Sequence, residues 1–389
     1  MDVLVTSSRL PFALEMIRKL GRRGHLVYAA DTFRSAPGSH SRHVVESFVV
    51  GSPRYDTRRF VADLEAILRG RHVDCVVPAF EEVFYLAKHR ARLERHARVF
   101  APSFETLRRL HDKLRFLELA AELGLSVPRT IVARDRRELA HAAREARPLL
   151  RAPRLHARRR HALHEHRAAG RARHARGMRA DAREPLPRPA LRRGDRRLHV
   201  RHRAPRARRR PRELRAPADA RARGGIVFES VEDAGALAIA QRVAEATRYH
   251  GQLSIDLIRT REGLVVVECN PRASAGLVVM PDSMFDEALR DRPPRQTRVA
   301  PAGARRKLSL ALIRNAIVRR GEARRNLAAL VRRGADVYAD PHDLRPLLFQ
   351  LVAYARVLGY RARRRRVHRT DLMQGYFHDL LWDGEDIAA

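Results

Sequence analysis

Cysteine is almost missing from this chain. Cys75 and Cys269 are its two, too few for a disulfide framework, so a reducing, cytoplasmic setting is the expectation. Met1–Leu10 has no basic run followed by a long apolar one, and nowhere do 18 apolar residues run together. The sequence therefore predicts neither a secretory signal nor a membrane span. The first turn after the opening strand, Thr6-Ser7-Ser8-Arg9, lacks a glycine fingerprint and gives no reason to expect a dinucleotide there. There is no zinc-type Cys/His spacing and no internal repeat.

One stretch lacks far more. Residues 151–223 contain no Ser, Thr, Asn, Gln, Ile, Phe, Tyr or Trp and a single Val, but 26 Arg against six acids. Much of the chain's formal charge of +36 sits there. Neither a period of two nor a helical period survives in it, and nothing in it could build a core. Net charge of this size ordinarily points to nucleic acid. The missing aromatics argue against sequence-selective single-strand binding, so a nucleic-acid partner is not the first expectation; the alternative is a genuine basic insertion over 151–223 that binds RNA or DNA.

What is present is a chain of 389 residues, long enough for two or three domains. Strand-like runs at Asp2–Ser7, His25–Ala30, Phe48–Val50 and Asp74–Phe80 alternate with amphipathic stretches at Pro11–Arg23, Thr57–Leu68 and Glu81–Arg95. This is the βαβ grammar of a parallel sheet covered by helices. Val99–Ala101 leads to Ser103, a candidate N-cap for a helix from Phe104. Glu81 and Glu82 follow the carboxyl end of a strand, where such sheets place ligands. They could meet a substrate amine or merely favour a helix N-terminus. A helix opens around His111-Asp112-Lys113, a strand follows at Thr130–Ala133, then a helix at Asp135–Ala146 and another strand start at Pro148–Arg151. Asp233–His250 reads as an amphipathic helix and Ser283–Leu289 as a short one, while Asp291–Gly303 is a Pro/Arg-rich linker. Lys307–Arg320, Ala323–Arg333 and Pro346–Leu358 read as helices, the last with Leu347, Leu348, Leu351, Val352 and Ala355 on one apolar face. Arg361–Arg366 is a basic run, ordinarily a solvated face.

The most informative stretch is Gly251–Gly276. Gln252–Thr260 and Leu264–Cys269 read as two strands around the turn Arg261-Glu262-Gly263. A three-residue loop pairs 260 with 264, 258 with 266, and Asp256 with Glu268. The two carboxylates then share one face with Cβ atoms roughly 5 Å apart. Like charges at that spacing repel unless a cation lies between them. Asn270 adds a neutral oxygen beside them. Two carboxylates and an amide make a hard-oxygen set suited to Mg²⁺ or Mn²⁺. The alternative is an edge hairpin whose acids are simply solvated.

Asp256, Glu268 and Asn270, followed by Pro271-Arg272-Ala273-Ser274, resemble the metal-binding signature of ATP-grasp ligases, in particular the carbamoyl-phosphate synthase large-chain type. The resemblance covers roughly residues 1–153 and 224–280. It implies an α/β fold with a Rossmann-like pre-ATP-grasp domain over 1–100 and an ATP-grasp core with an antiparallel sheet over 101–290. A linker and helical C-terminal tail over 291–389 would follow. It further implies ATP and Mg²⁺ as cofactors, with Asp256, Glu268 and Asn270 on the metal and Lys113, Arg151 and Glu268 toward the nucleotide. Arg272 and Asn270 would act in catalysis on an acyl-phosphate formed from a small carboxylate, which an amine, ammonia or thiol then attacks. The oligomeric state is open.

The same resemblance gives the arginine-rich segment a second reading besides a basic insertion. If the last two bases of each codon are joined to the first base of the next, Pro189–His199 can be read as Gln-Pro-Phe-Val-Glu-Gly-Thr-Asp-Val-Cys-Thr. Arg154–Arg159 can be read as Val-Tyr-Thr-Arg-Gly-Gly. These resemble the family's adenine-side hinge strand and its glycine-rich phosphate loop. The expectation is a pair of compensating frameshifts near 152–154 and 220–224. A chain without those two elements would bind ATP poorly, so a damaged, inactive ligase is the companion expectation.

Overall fold

The computed structural model describes residues 1–128, 130–133, 198–201, 226–260, 262–290, 297–318, 320–332, 334–363 and 376–387. The first hundred residues build a five-stranded parallel sheet. Its elements are β1 (Asp2–Thr6), α1 (Pro11–Arg22), β2 (Leu26–Asp31), β3 (Val44–Val49), α2 (Thr57–Gly70), β4 (Cys75–Val77), α3 (Glu82–Lys88), α4 (Arg90–Leu93) and β5 (Arg98–Val99). The strand order is β3-β2-β1-β4-β5, with every pairing parallel. The order reverses between β1 and β4, and such a switch point opens a crevice at the carboxyl ends of the strands.

Alternation along the strands sorts the core into two layers. Val3, Val5, Ala29, Cys75 and Val77 face one way, onto Ala13, Met16, Ile17 and Leu20 of α1. Leu4, Tyr28, Ala30, Val76 and Val99 face the other, onto Phe60, Val61 and Leu64 of α2 and Phe84 of α3. α1 begins with a proline at its first turn, where the missing N–H costs nothing. It is buried almost all round, Arg18 and Lys19 included. The reason is a second layer outside it. Arg18 reaches Asp343 at 2.8 Å and the carbonyls of Val337 and Tyr338, while Lys19 donates to the Met280 carbonyl at 2.7 Å.

The helix expected over Glu81–Arg95 is interrupted at His89, and the strand expected over Asp74–Phe80 stops before Pro78, which has no N–H for a ladder. Ser103 caps α5 (Phe104–His111) by accepting from the Thr106 N–H. Asp112 then ends α5 and caps a separate helix, α6 (Lys113–Glu122), accepting from Leu114 and Arg115. β6 (Thr130–Ala133) pairs antiparallel with β7 (Leu198–Arg201). That short strand is the described part of the arginine-rich segment. Next come β8 (Val227–Glu229), α7 (Ala234–Ala246), and the hairpin of β9 (Ser254–Arg259) and β10 (Leu264–Asn270). After these stand α8 (Asp282–Leu289), β11 (Arg305–Lys307), α9 (Ser309–Val318), α10 (Ala323–Val331), β12 (Ala335–Asp336) and α11 (Arg345–Arg363).

Two expectations for the C-terminal region need correction. It is not helical throughout, because β11 pairs with β8 on one side and β12 on the other. Those strands are two or three residues long, and Arg305-Arg306-Lys307 has no apolar alternation to give it away. The last long helix also docks by a different face. Pro346, Gln350, Ala353 and Val357 are buried, whereas Leu348, Leu351 and Val352 are exposed. Phe349 stacks on His40 at 3.3 Å, and the small side chain of Ala353 lets the helix lie close to the first domain. Packing follows fit at the contact rather than the most apolar stripe.

Candidate functional site

The β9–β10 hairpin lies with one face on α6 and α7. Ile255, Leu257, Val266 and Cys269 join Phe116, Leu119, Ala120 and Val243 in a single apolar cluster. Asp256 is exposed and Glu268 half-buried on the other face. The register reaches this arrangement by a route the spacing did not foretell. Leu264 pairs with Arg259 and Val265 with Ile258, so the loop is four residues, 260–263, and Gly263 closes it at φ +128°. That conformation favours glycine. Val266 pairs with Leu257 rather than Ile258. A bulge between Val266 and Glu268 then restores Asp256 opposite Glu268. The bulge has a physical cause. Val266 belongs inside and Glu268 outside, and a strand without an extra residue would send both to the same face.

Three of the remaining expected residues gather around this pair. Lys113, the first residue of α6, places Nζ 3.3 Å from Glu268 Oε2. Both side chains are partly open to solvent, so the pair adds little to stability. Asn270 ends β10, and its Oδ1 accepts from Arg272 Nη2 at 3.1 Å. Pro271 between them is buried. The Arg272 guanidinium lies over the Phe80 ring at 4.3 Å, and its Nη2 also reaches Glu81 Oε1 at 3.5 Å. The site thus joins the hairpin to the carboxyl end of β4. Arg151 lies outside the described residues, as do 154–159 and both proposed frame junctions. Of 189–199 only Leu198 and His199 are described.

Cys269, between Glu268 and Asn270, is buried in the apolar cluster under the hairpin. Burial pushes its thiol well above the usual range, Asp256 pushes the same way, and Arg272 only partly offsets them. The two acids after β4 have separate duties. Glu82 is fully buried and ties β1 to the turn after β4, its Oε1 accepting from Thr6 Oγ1 at 2.6 Å and the Ala79 N–H at 2.8 Å. Burial raises its carboxyl above the usual range, against the pull of those hydrogen bonds. Glu81 instead bonds Arg272 and the Trp382 N–H. Neither Trp382 nor Phe80 carries a local signal that would have placed it at this site; the sequence pointed here only through Glu81 and Glu82, which follow a strand.

Among the described residues no group of three or more His, Cys, Asp or Glu could hold a metal ion. A divalent ion here would rest on two carboxylates and one amide. The donor set suits that in kind, since Asn270 Oδ1 keeps a second lone pair beside the one Arg272 uses. Among the described residues no helix is long and apolar enough to cross a membrane.

No family model and no curated protein matches the sequence. Several solved structures are similar to it. The biotin carboxylase domain of a single-chain bacterial carboxylase is 15% identical over 78% of this chain and 73% of its own, with a TM-score of 0.48. The N5-carboxyaminoimidazole ribonucleotide synthetase of Thermus thermophilus is 15% identical over 78% and 81%, with a TM-score of 0.45. An ADP complex of an N5-carboxyaminoimidazole ribonucleotide synthetase is 12% identical over 82% and 84%, with a TM-score of 0.46. At these values the likeness carries no weight for activity, which has to be read from the residues.

Proposed function

We propose that this chain is an ATP- and Mg²⁺-dependent ligase of the ATP-grasp type, of the carbamoyl-phosphate synthase large-chain kind. It would activate a small carboxylate for attack by an amine, ammonia or thiol. The observation that carries the reading is the cross-strand pairing of Asp256 with Glu268, two residues before Asn270, with Lys113 against Glu268.

Mg²⁺ or Mn²⁺ bound there would neutralise phosphate charge as the γ-phosphoryl moves. The chain's own groups set up the rest. Asp256 and Glu268 stand where two like charges favour a cation between them. Lys113 supplies an ammonium on the same side, suited to phosphate oxygens, and Arg151 is the second cation the reading assigns. The Arg272 guanidinium lies over the Phe80 ring and is held at Nη2 by Asn270 and Glu81 and at Nη1 by the Ala273 carbonyl. It offers a planar fork of the kind that takes a carboxylate or acyl-phosphate bidentately. The carboxylate substrate, its nucleophile and a cytoplasmic setting belong to this proposal as well.

Calorimetric titration of the full chain with Mn²⁺ and with Mg-ATP tests it. We expect Glu268→Gln to weaken Mn²⁺ binding more than tenfold while the chain stays folded. The frame reading adds that a gene with one restored frame through 152–224 should give a protein binding Mg-ATP far more tightly than this one. If neither protein binds Mn²⁺ or Mg-ATP, or if Glu268→Gln binds both as well as the parent, the ligase reading is wrong.

A further inference from the structure

The chain has a single tryptophan, Trp382, in a segment (376–387) that no motif above includes. It is nevertheless two hydrogen bonds from Arg272. Its backbone N–H donates to Glu81 Oε2 at 3.0 Å, and Glu81 Oε1 accepts from Arg272 Nη2 at 3.5 Å. Glu81 and Trp382 are each 6% exposed, so this relay runs through the interior, where such bonds count for more than in water. Glu81 stands at the N-cap position of α3 but makes no side-chain capping bond. The usual structural duty of an acid at that position is therefore not what occupies it.

A second route joins the same partners. Phe80, under the Arg272 guanidinium, packs against Phe377 at 5.3 Å. The Trp382 ring stacks on Phe84 at 4.3 Å, and Asp379 fastens the segment to Arg9 at 2.8 Å and to Thr32. Arg272 Nε is buried without a hydrogen-bond partner among the described residues. The guanidinium is thus gripped at both terminal nitrogens, Nη1 donating to the Ala273 carbonyl at 3.3 Å, and on one face, with Nε still to spend.

We propose that Glu81 is a positioning residue that ties Arg272 to the C-terminal segment 376–387, so that docking of this segment sets the orientation of the guanidinium. A carboxylate is required because its two oxygens accept in two directions. Glutamine keeps one acceptor and must break one link. The coupling itself is independent of the ligase reading; only its consequence for substrate handling rests on that reading.

Acrylamide quenching of Trp382 in the full chain without nucleotide tests the coupling. We expect Glu81→Gln to at least double the quenching constant. Arg272→Ala should raise it by half or more, and Arg272→Lys should bring it back toward the parent value. The double variant Glu81→Gln/Arg272→Ala should not exceed Glu81→Gln alone, since both break one relay. An unchanged constant in Arg272→Ala, or effects that multiply in the double variant, overturns the proposal. Should Glu81→Gln lose its native circular dichroism, the two Arg272 variants decide alone. Mg-ATP titrations run beside these keep the two readings apart. Lost coupling with intact binding sinks this proposal, and intact coupling with no binding by either this chain or the restored-frame protein sinks the ligase.

Discussion

The parallel sheet and the β9–β10 hairpin are built on opposite terms. In β1 and β4 every residue from Val3 onward and from Cys75 onward is buried, because helices cover both faces. In β9 no residue is fully buried. The central strands β1 and β4 are specified mainly by apolar bulk, whereas the hairpin is specified by which face each residue takes. Chemistry sits on the second kind of element because an open face leaves side-chain identity free of packing demands.

Truncations should separate the two most sharply. Arg9 is fully buried between Asp31, at 2.5 Å, and Asp379, at 2.8 Å. Arg9→Ala strands two carboxylates in the interior, and urea unfolding should show a loss of about 3–5 kcal/mol. Leu4→Ala, at a residue with no exposure, should cost about 2–5 kcal/mol. Ile258→Ala on the open face of the hairpin, at 53% exposure, should stay within about 0.5 kcal/mol. Equal losses at Leu4 and Ile258 would abolish the contrast.

Smaller effects sharpen it further. Asp112→Ala removes the cap that sets the first turn of α6, and with it Lys113, at a cost of about 1 kcal/mol. Its tell-tale is a weakened response of Mn²⁺ binding to Glu268→Gln. Glu82 supplies a pH signature confined to the sheet. Its raised carboxyl holds a proton more tightly in the native state than in the unfolded chain. The stability this contributes is present below the usual carboxylate range and is lost as pH rises through the native value. Glutamine does not titrate, so thermal midpoints of Glu82→Gln relative to the parent should improve from pH 4 to pH 7. A constant gap would mean that Glu82 carries no such shift.

The same contrast decides what the sequence could tell. The βαβ beginning is legible because Val3-Leu4-Val5 and Val27 to Ala30 have nowhere to go but inside, whatever the register. Edge strand β3 is only partly legible. Its residues 44–49 alternate between half-buried and exposed, and the stretch read as a strand began four residues late. In the hairpin, facing carboxylates were foreseen but the ladder leading to them was not. A bulge leaves no trace in composition; it appears only once Val266 must choose a side. Arg272 was assigned a task from its motif, yet Glu81, Phe80 and Trp382, which hold it, come from remote parts of the chain. No local pattern reports a contact made across 301 residues.

The bond between Arg9 and Asp379 spans 370 positions. During synthesis the arginine leaves the ribosome 370 residues before its second acid. Throughout that interval the Arg9–Asp31 pair at the carboxyl ends of β1 and β2 lacks its second carboxylate. The seal over this end of the sheet is therefore made only once Asp379 has docked.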